Sequence, residues 1–517
     1  MSTADPARTP VLVGSAQWED RTPAPPDVER PLDVLAHVVR SAADDAGLGD
    51  LAAIDTVGYI RTSGWEVTNV GDALARTLGI PSVRSVDVGG GGEVGVSGIN
   101  WLARQIVEGS TGVAVLAGVH RMRSQELAAR KGLELTWQDH SEGEPTYLGR
   151  RGYPVPGSEE YERASGIMNV ERAAGLEAPP HIYPLFENAL AHHLGHKPGE
   201  HREVVGRLMS RFTEVAAANP HAWYPNFRSP EELITPTPSN RMVAFPYTKY
   251  LNAILQTDQS AALILMSEQR ARDLGIPSDR WVHWWGGHGA AEEAWFPSTR
   301  PDFAACPSML DSHLGALELA GLTMDDVDLI DFYSCFAAPV EMACRMLGLS
   351  VDDERGFTLT GGLPYGGGPG SAYTLHSLAT MVDRVREQPD ATAMITGNGF
   401  YLTKHAASLW SGRPRPGGPP QGAEPERYSG HLEHAPVVPV VRAGAGTVET
   451  FTVVHARDDS PGRLIAIGRF DDAPDERFLA NGLGWTVEDL DVIERDGFVG
   501  RRVDVRVVDG ACAIPPE

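Results

Sequence analysis

The sequence predicts a mixed α/β protein built from two similar halves, with an inserted segment and a small all-β module at the C-terminus. In 10–117, short apolar strands alternate with amphipathic helices, which is typical of β-α-β units with a mainly parallel sheet. A similar order of elements returns after residue 320, and the last part of the chain shows only strand patterns. At 517 residues the chain is too long for one ordinary core, so two to four domains are expected.

The first half begins with three β-α units. The pattern predicts strands at 10–16, 57–60, 83–88 and 113–117, and helices at 32–46 and 70–78. Gly47 ends the first helix, as glycine commonly does at a helix C-terminus. A third helix follows a run of four glycines, Gly89 to Gly92.

This glycine run stands between a strand and a helix. Bare backbone at that point leaves unpaired N–H groups at a helix N-terminus, which suits an anion or a developing oxyanion. The spacing Gly90-x-Gly92-x-x-Gly95 also matches the dinucleotide fingerprint, which requires an acidic residue after the next strand. That strand instead ends near His120, so we favour an oxyanion or phosphate cradle, with close packing as the alternative.

The second half repeats the first at nearly the same spacing. Ala320-Gly-Leu repeats Ala46-Gly-Leu, and a second glycine run, 366–368, follows it as 89–92 follows the first. A buried strand that closes on glycine comes after each run, at 113–118 and 392–397. The repetition predicts a duplicated unit, and chance similarity between two α/β stretches is the alternative.

Domain boundaries follow from changes in composition. Residues 123–240 are rich in charge, proline and aromatics, and 413–424 form a proline- and glycine-rich linker. The sequence therefore predicts an N-terminal half at 1–122, completed by 241–268, an inserted subdomain at 123–240, a C-terminal half at 269–412, and a β domain at 425–517. Strands are predicted in the last domain at 437–441, 447–456, 463–470 and 502–508.

Composition limits the possible partners. The net charge of −25 argues against nucleic acid and anionic membranes. The four scattered cysteines form no Cys-x-x-Cys pair, and neither a signal peptide nor a long apolar run is seen, so a cytoplasmic protein is expected. His192 and His196 are spaced for one helix face, but no thiolate or nearby aspartate completes a ligand set, and no metal site is predicted.

Two loops of the second half carry a family resemblance. Asp331-Phe-Tyr-Ser-Cys-Phe-Ala337 resembles the Asn-Glu-Ala-Phe loop of thiolases, and Gly361-Gly-Leu-Pro-Tyr-Gly-Gly-Gly-Pro369 resembles their Gly-His-Pro loop. With the duplicated halves and the extra β domain, the chain resembles thiolase-superfamily proteins of the acetyl-CoA acetyltransferase type, near the sterol-carrier-protein thiolases. The resemblance implies two βαβαβαββ halves, an OB-like additional domain, a coenzyme A thioester as substrate or ligand, a role in lipid metabolism, and a possible homodimer through the core.

The departures from this family fall on its catalytic positions. In register, the nucleophilic cysteine falls on Gly92, the histidine on Gly368, the second cysteine on Thr396 or Gly397, and the loop asparagine on Tyr333. Glycine can neither form an acyl-thioester nor transfer a proton. Claisen condensation or thiolysis by the thiolase route is therefore predicted to be absent or to use other residues.

Four residues are the catalytic candidates that remain. Tyr333 could donate to an oxyanion, or act as an acid or base if its pKa is lowered. Cys335 precedes a predicted helix whose N-terminus would lower its pKa, but a structural thiol is the favoured interpretation. Asn398 or His405 could polarise a carbonyl, with a structural histidine as the alternative. The substrate-binding candidates are Gly92, Glu93, Tyr365, Gly367 and Gly368.

The sequence favours one function and leaves two others open. The favoured hypothesis is a protein that handles acyl-CoA without the thiolase nucleophile and without a tightly bound cofactor. The alternatives are a carbon–carbon lyase that acts on CoA thioesters by a retro-aldol reaction, and a non-enzymatic acyl-CoA-binding protein. A retro-aldol reaction needs a base and an oxyanion site but no acyl-enzyme.

Overall fold

The computed structural model describes residues 5–61, 64–148, 158–420, 428–429 and 437–516. Its helices are α1 (Pro31–Ala46), α2 (Val70–Leu78), α3 (Val94–Glu108), α4 (Met122–Arg130), α5 (Glu159–Ser165), α6 (Asn169–Ala173), α7 (Pro179–His193), α8 (Pro198–Ala218), α9 (Pro230–Ile234), α10 (Glu268–Asp273), α11 (Pro307–Ala320), α12 (Ala337–Leu347), α13 (Gly362–Tyr365), α14 (Tyr373–Glu387) and α15 (Val487–Asp496). Its strands are β1 (Pro10–Glu19), β2 (Thr56–Ile60), β3 (Arg84–Asp87), β4 (Val113–Arg121), β5 (Thr146–Tyr147), β6 (Met242–Ala244), β7 (Tyr247–Thr248), β8 (Asp258–Ser267), β9 (Val282–Ala291), β10 (Leu329–Asp331), β11 (Thr392–Gly399), β12 (Lys404–Ser411), β13 (Tyr428–Ser429), β14 (Val438–Pro439), β15 (Gly444–His455), β16 (Pro461–Phe470), β17 (Ala473–Gly482), β18 (Arg502–Val508) and β19 (Ala511–Ile514).

The two halves share one strand order, which confirms the predicted duplicated α/β fold. The first half runs β1-β8-β4-β2-β3, and the second runs β9-β12-β11-β10. In each half the last strand lies antiparallel between the first strand and the strand before it. A short antiparallel pairing of β1 with β9, at Val11–Leu12, joins the halves into one sheet.

Helices α3 and α14 lie between the halves and are buried by both. Their apolar residues share one core cluster with strands of both halves, including Leu263 of the first half and Ile395 of the second. Asn100 of α3 donates to the Ala407 carbonyl at 3.0 Å and accepts from Trp284 at 3.0 Å, so the first half's helix is fixed to the second half's strands. The residues that precede these two helices are consequently held at the junction of the halves.

The inserted segment is mostly helical. Helices α7 and α8 pack with α12 in a core cluster that includes Phe186, Phe212 and Phe336. Because α12 follows the 331–336 loop, the insert covers the second half beside the loop that resembles a thiolase motif. The strand β5 departs from the predicted subdomain, since it pairs with β3 at the edge of the main sheet.

The C-terminal domain contains a closed five-stranded barrel. Strand β15 pairs with β16 and β18, β17 pairs with β16 and β19, and β18 pairs with β19, so the ring closes. Helix α15 lies between the third and fourth barrel strands and was not predicted, because Val487–Asp496 has a short apolar stripe within an acidic segment. Strands β17 and β19 were also missed, and 425–427 and 430–436 of the predicted domain lie outside the described residues.

The barrel is fixed to the rest of the chain by buried polar contacts. Asn188 of α7 donates to the Phe451 carbonyl at 2.8 Å, and Arg477 donates to the carbonyls of Ser298 and Arg300 at 2.7 Å each. The strands β6 and β7 also join the barrel sheet, so only the end of the stretch 241–268 completes the first half. Within the described residues, no helix combines the length and the apolar character needed to cross a bilayer.

Candidate functional site

Three loops meet where the two halves face each other. They are the glycine run before α3, the 331–336 loop before α12, and the 397–404 turn that ends β11 and begins β12. The amide of Tyr333 donates to Thr396 Oγ1 at 3.0 Å, and the Cα of Glu93 lies 2.7 Å from the place of a Cβ at Gly397. The structure therefore brings together Gly92, Glu93, Tyr333 and Asn398 of the predicted site.

Gly92 has no room for a side chain. A Cβ built on it would overlap the hydroxyl of Tyr333 and the carbonyl oxygen of Asn398, and would lie 2.5 Å from Tyr333 Cζ. The hydroxyl of Tyr333 thus occupies the space that the nucleophile's side chain takes in the resembled enzymes. Gly92 and Tyr333 are both partly exposed, so solvent reaches this point.

The other altered positions are also closely packed. A Cβ at Gly397 would meet the backbone of Glu93, and one at Gly368 would lie 2.8 Å from the Ile254 carbonyl oxygen. Thr396 uses its hydroxyl to accept from the Tyr333 amide, so it holds the loop that carries Tyr333. No cysteine or histidine side chain could enter these two glycine positions without movement of the backbone.

Tyrosine hydroxyls provide the polar groups of the site. Asn398 Nδ2 donates to the hydroxyl of Tyr183 at 3.0 Å, and that hydroxyl donates to the Phe400 carbonyl at 3.1 Å. The ring of Tyr333 packs edge-on against Tyr373, with centroids 5.5 Å apart. Burial raises the pKa of Tyr333 and Tyr183 well above the ordinary value, so both hydroxyls are neutral donors. The acid or base role considered for Tyr333 required a lowered pKa, so the raised pKa favours its role as a hydrogen-bond donor.

Glu93 and Lys404 form an ion pair beside these tyrosines. The carboxylate folds back over the glycine run, where a Cβ at Gly91 or Gly399 would overlap Glu93 Oε2. That oxygen is buried and accepts no hydrogen bond from the described part of the chain. The pair places one negative and one positive charge at the edge of the site.

The glycine run keeps two of its backbone donors unoccupied. The amide of Gly91 donates to Ser371 Oγ at 3.0 Å, and that of Gly89 donates to Asp87 Oδ1 at 2.8 Å. The amides of Gly90 and Gly92 in the run, and that of Glu93 after it, have no acceptor among the described residues. Those of Gly92 and Glu93 directly precede α3, at a helix N-terminus that suits an anion, and the oxyanion cradle stays a prediction. The Ser371 contact also brings the second glycine loop against the first.

Cys335 does not have the environment of a nucleophile. It is 7% exposed, and burial raises the pKa of its thiol to about 12. The predicted lowering of this pKa by the N-terminus of α12 is wrong, because removal of the thiolate from water outweighs the effect of the helix end. Cys335 is a protonated thiol beside Tyr183 at neutral pH.

His405 belongs to a buried polar cluster. Its Nε2 lies 3.2 Å from Cys306 Sγ, which donates to Glu292 Oε1 at 3.3 Å. Burial lowers the pKa of His405 to about 4, so the ring is neutral at physiological pH. The alternative of a structural histidine, given by the sequence, describes these contacts best.

The remaining binding candidates line the second glycine loop. Tyr365 is buried, and its hydroxyl has no partner among the described residues. Gly367 has φ +105°, and a Cβ there would overlap the side-chain amide of Gln259. Gly367 and Gly368 therefore pack against 254–259 and not directly against Gly92.

Sequence reasoning missed two residues of the site. Tyr183 comes from α7 in the inserted segment, and no motif connects that helix with the loop at 398. Lys404 directly precedes the candidate His405, but its ion pair with Glu93 depends on the turn between β11 and β12. Phe400 and Leu402 in that turn have positive φ values of 56° and 60°, which are uncommon for such side chains.

Comparisons with known proteins agree with this geometry. Residues 431–510 match the family described as the thiolase-like protein type 1 additional C-terminal domain. A monomeric SCP2-thiolase-like protein type 1 from Mycobacterium smegmatis is 29% identical, with a TM-score of 0.80 over 98% of this chain and 99% of that one. Two other solved structures share the fold. An Ltp2-ChsH2(DUF35) aldolase is 20% identical, with a TM-score of 0.58 over 78% of this chain and 98% of that one. An acetyl-CoA acetyltransferase from Syntrophomonas wolfei is 18% identical, with a TM-score of 0.54 over 79% of this chain and 100% of that one.

Curated relatives match over a shorter stretch. The 3-ketoacyl-CoA thiolase of Shigella boydii serotype 4 is 34% identical over 130 residues, which is 22% of this chain and 28% of that protein. The enzyme of Escherichia coli O9:H4 is 32% identical over 179 residues, which is 30% of this chain and 35% of that protein. The match thus spans about a third of the length of these thiolases.

The fold and its duplicated halves define a member of the thiolase superfamily. Within that superfamily, residues 431–510 and the match over nearly the whole chain make it similar to the thiolase-like proteins that carry an additional C-terminal domain. It is related to the SCP2-thiolase-like proteins and to thiolases.

The packing at Gly92 predicts a steric interaction with Tyr333. We expect Gly92→Ala to lower stability by about 1–3 kcal/mol, since the added methyl overlaps the Tyr333 hydroxyl and the Asn398 carbonyl. Combining it with Tyr333→Asn should recover part of this loss, which thermal unfolding of both single variants and the double variant would measure. Gly199→Ala is the matched control because nothing lies within 4 Å of its Cβ position. Equal stability of Gly92→Ala and the wild type would contradict the described packing.

The raised pKa of Cys335 predicts an unreactive thiol. Because the thiolate is the nucleophile, alkylation by iodoacetamide should stay slow between pH 7 and pH 9, where a free cysteine of pKa about 8.5 becomes reactive. Mass spectrometry of the peptide that contains Cys335, compared between native and urea-unfolded protein, measures this. Rapid labelling of native Cys335 at pH 8 would disprove the buried, protonated state.

Proposed function

We propose that this protein binds acyl-CoA thioesters at the Gly92–Tyr333–Asn398 site and handles them without forming an acyl-enzyme. The observation that carries the proposal is the hydroxyl of Tyr333, which lies where the nucleophile's side chain would start. A neutral hydroxyl and unpaired backbone amides can donate to a thioester carbonyl oxygen, and none of these groups can be acylated as a cysteine is. The partly exposed Gly92 and Tyr333 give the thioester a way in.

The proposal gives each group a role. The amides of Gly92 and Glu93 and the hydroxyl of Tyr333 form the oxyanion site, while Asn398 and Tyr183 hold its wall in place. The additional domain is assigned as an OB-like barrel from its closed five-stranded order with a helix between the third and fourth strands. A cytoplasmic location, a role in lipid metabolism and a homodimer through the core belong to the same proposal.

Binding measurements test the proposed function. Isothermal titration with acetyl-CoA and acetoacetyl-CoA should show one thioester bound per chain, and intact mass spectrometry should show no covalent acyl adduct. Tyr333→Phe should weaken thioester binding about 10-fold through loss of one hydrogen bond, and leave binding of free CoA unchanged.

Tyr373→Phe serves as the control for the loss of a neighbouring buried hydroxyl, because its Oη bonds to Thr360 Oγ1 at 2.8 Å within the second half. It should bind both ligands like the wild type. Absence of thioester binding by the wild-type protein, or a stable acyl adduct on any residue, would refute the proposal.

One observation favours a second candidate, cleavage of a carbon–carbon bond in a β-hydroxyacyl-CoA. Glu93 presents a buried carboxylate oxygen that accepts no hydrogen bond from the described residues, in the same site as the Tyr333 donor. In a retro-aldol step, the carboxylate would take the hydroxyl proton, the bond between the α and β carbons would break, and the thioester enolate would form at the oxyanion site.

This second function predicts a strong dependence on Glu93. Glu93→Gln should lower the rate of β-hydroxyacyl-CoA cleavage at least about 100-fold, the range of general base catalysis, while thioester binding persists. Glu108→Gln, at the exposed end of α3, is the control. Release of carbonyl product, followed by derivatisation and chromatography, measures the rate; if the wild type releases none while it binds thioesters, the non-enzymatic acyl-CoA-binding alternative is supported instead.

A further inference from the structure

A second cluster of reactive side chains lies behind the site, between helices α7, α8 and α12. Glu187, His201 and Glu341 come from these three helices, and all three are at most 3% exposed. One ligand atom from each lies within 4.8 Å of the others. His201 Nε2 is 2.5 Å from Glu187 Oε1 and 3.6 Å from Glu341 Oε2. Two carboxylates and an imidazole therefore converge on one buried point.

Glu341 lacks a donor for its carboxylate. Neither of its oxygens receives a hydrogen bond from the described part of the chain, although both are buried. A buried carboxylate without a donor costs several kcal/mol unless a positive charge or a proton neutralises it. The described ion pairs of this cluster involve only His201, so no arginine or lysine supplies that charge.

The surrounding groups already orient the cluster as ligands. His196 Nδ1 lies 3.2 Å from His201 Nδ1, so His196 can accept a proton from Nδ1 of His201 when a metal ion replaces the proton between Nε2 and Glu187. The hydroxyl of Tyr247 donates to the second oxygen of Glu187. Such outer hydrogen bonds fix the tautomer of a ligating histidine and the rotation of a ligating carboxylate.

We propose that Glu187, His201 and Glu341 bind one divalent transition-metal ion, Zn²⁺ in the first place. Two carboxylates balance the charge of a divalent ion, and mixed oxygen and nitrogen ligands suit Zn²⁺ or Mn²⁺. Ligand atoms around Zn²⁺ stand roughly 3.3 Å apart for bonds of about 2.0–2.1 Å. The 3.6 Å separation is close to this value, whereas the 2.5 Å pair would have to move apart by about 0.8 Å to bind the ion.

A cavity lies next to His201, on one side of the cluster. It has a volume of about 380 Å³ and is lined by His201 together with Asn188, His192, His196 and Lys197. His201 belongs to both the cavity wall and the cluster, whereas Glu187 and Glu341 do not line the cavity. The fourth coordination position then belongs to water, as in zinc sites with three protein ligands.

The ion would tie together the helices that support the thioester site. Glu187 stands one turn after Tyr183 on α7, and Phe336, which precedes α12, stacks on Tyr183 with centroids 4.5 Å apart. Tyr247 contacts the other side of this stack, with its centroid 5.2 Å from that of Phe336. The proposed metal would therefore stabilise the helices that position Tyr183 at the thioester site. This inference does not depend on thioester binding.

Metal titration of the full chain tests the proposal. After treatment with EDTA and dialysis, titration with ZnCl₂ should show one ion per chain, and elemental analysis should find the same ratio after gel filtration. Glu341→Gln should weaken Zn²⁺ binding at least about 100-fold, and His201→Gln should do likewise. The glutamine at 341 can donate its amide hydrogens to Glu187, so this variant should fold without metal.

His193→Gln is the matched control, because His193 is exposed at the end of α7 and contacts Arg345 rather than the cluster. It should bind Zn²⁺ like the wild type. Zn²⁺ should also raise the melting temperature of the wild type and of His193→Gln, but not that of Glu341→Gln. Lack of stoichiometric binding by the wild type, or equal binding by Glu341→Gln, would overturn the proposal and leave two carboxyl groups that share a proton.

Discussion

The contact between the Gly92 backbone and the Tyr333 hydroxyl determines the architecture of the site. Two loops from opposite halves of the duplicated fold come so close that no Cβ fits between them at Gly92. The same closeness requires glycine at 397, where a Cβ would meet the backbone of Glu93, and gives Thr396 its role as the acceptor for the Tyr333 amide. One close approach thus accounts for three departures from the resembled motifs.

Burial then decides the protonation states around this contact. It raises the pKa of Tyr333 and Cys335 and lowers that of His405, so every one of these groups is held in its neutral form at physiological pH. The site is consequently a set of hydrogen-bond donors, and its charge is confined to the pair of Glu93 with Lys404. Such a set can polarise a carbonyl, but it contains no nucleophile activated as a thiolate.

Helix α7 connects the site with the additional domain. Tyr183, near its start, contacts Asn398 at the site, and Asn188, little more than one turn later, donates to the barrel carbonyl of Phe451. Glu187 lies between them on the same helix and faces the buried cluster. The inserted segment therefore does more than cover the second half, because one rigid element contacts the site, the cluster and the barrel.

The sequence by itself determined the fold class and the duplication, because these depend on local patterns: the periodicity of apolar residues and the repeated glycine runs. The residue at position 92 further predicts the loss of the thiolase nucleophile. The sequence also placed most strands of the halves within a few residues. It did not predict α15, whose segment is dominated by acidic residues, or the addition of β6 and β7 to the barrel. Tertiary structure alone decided which groups surround Gly92, since Tyr183, Lys404 and Glu341 reach their partners across long stretches of chain. It also decided the pKa values of these groups, because they follow from burial that no local pattern encodes.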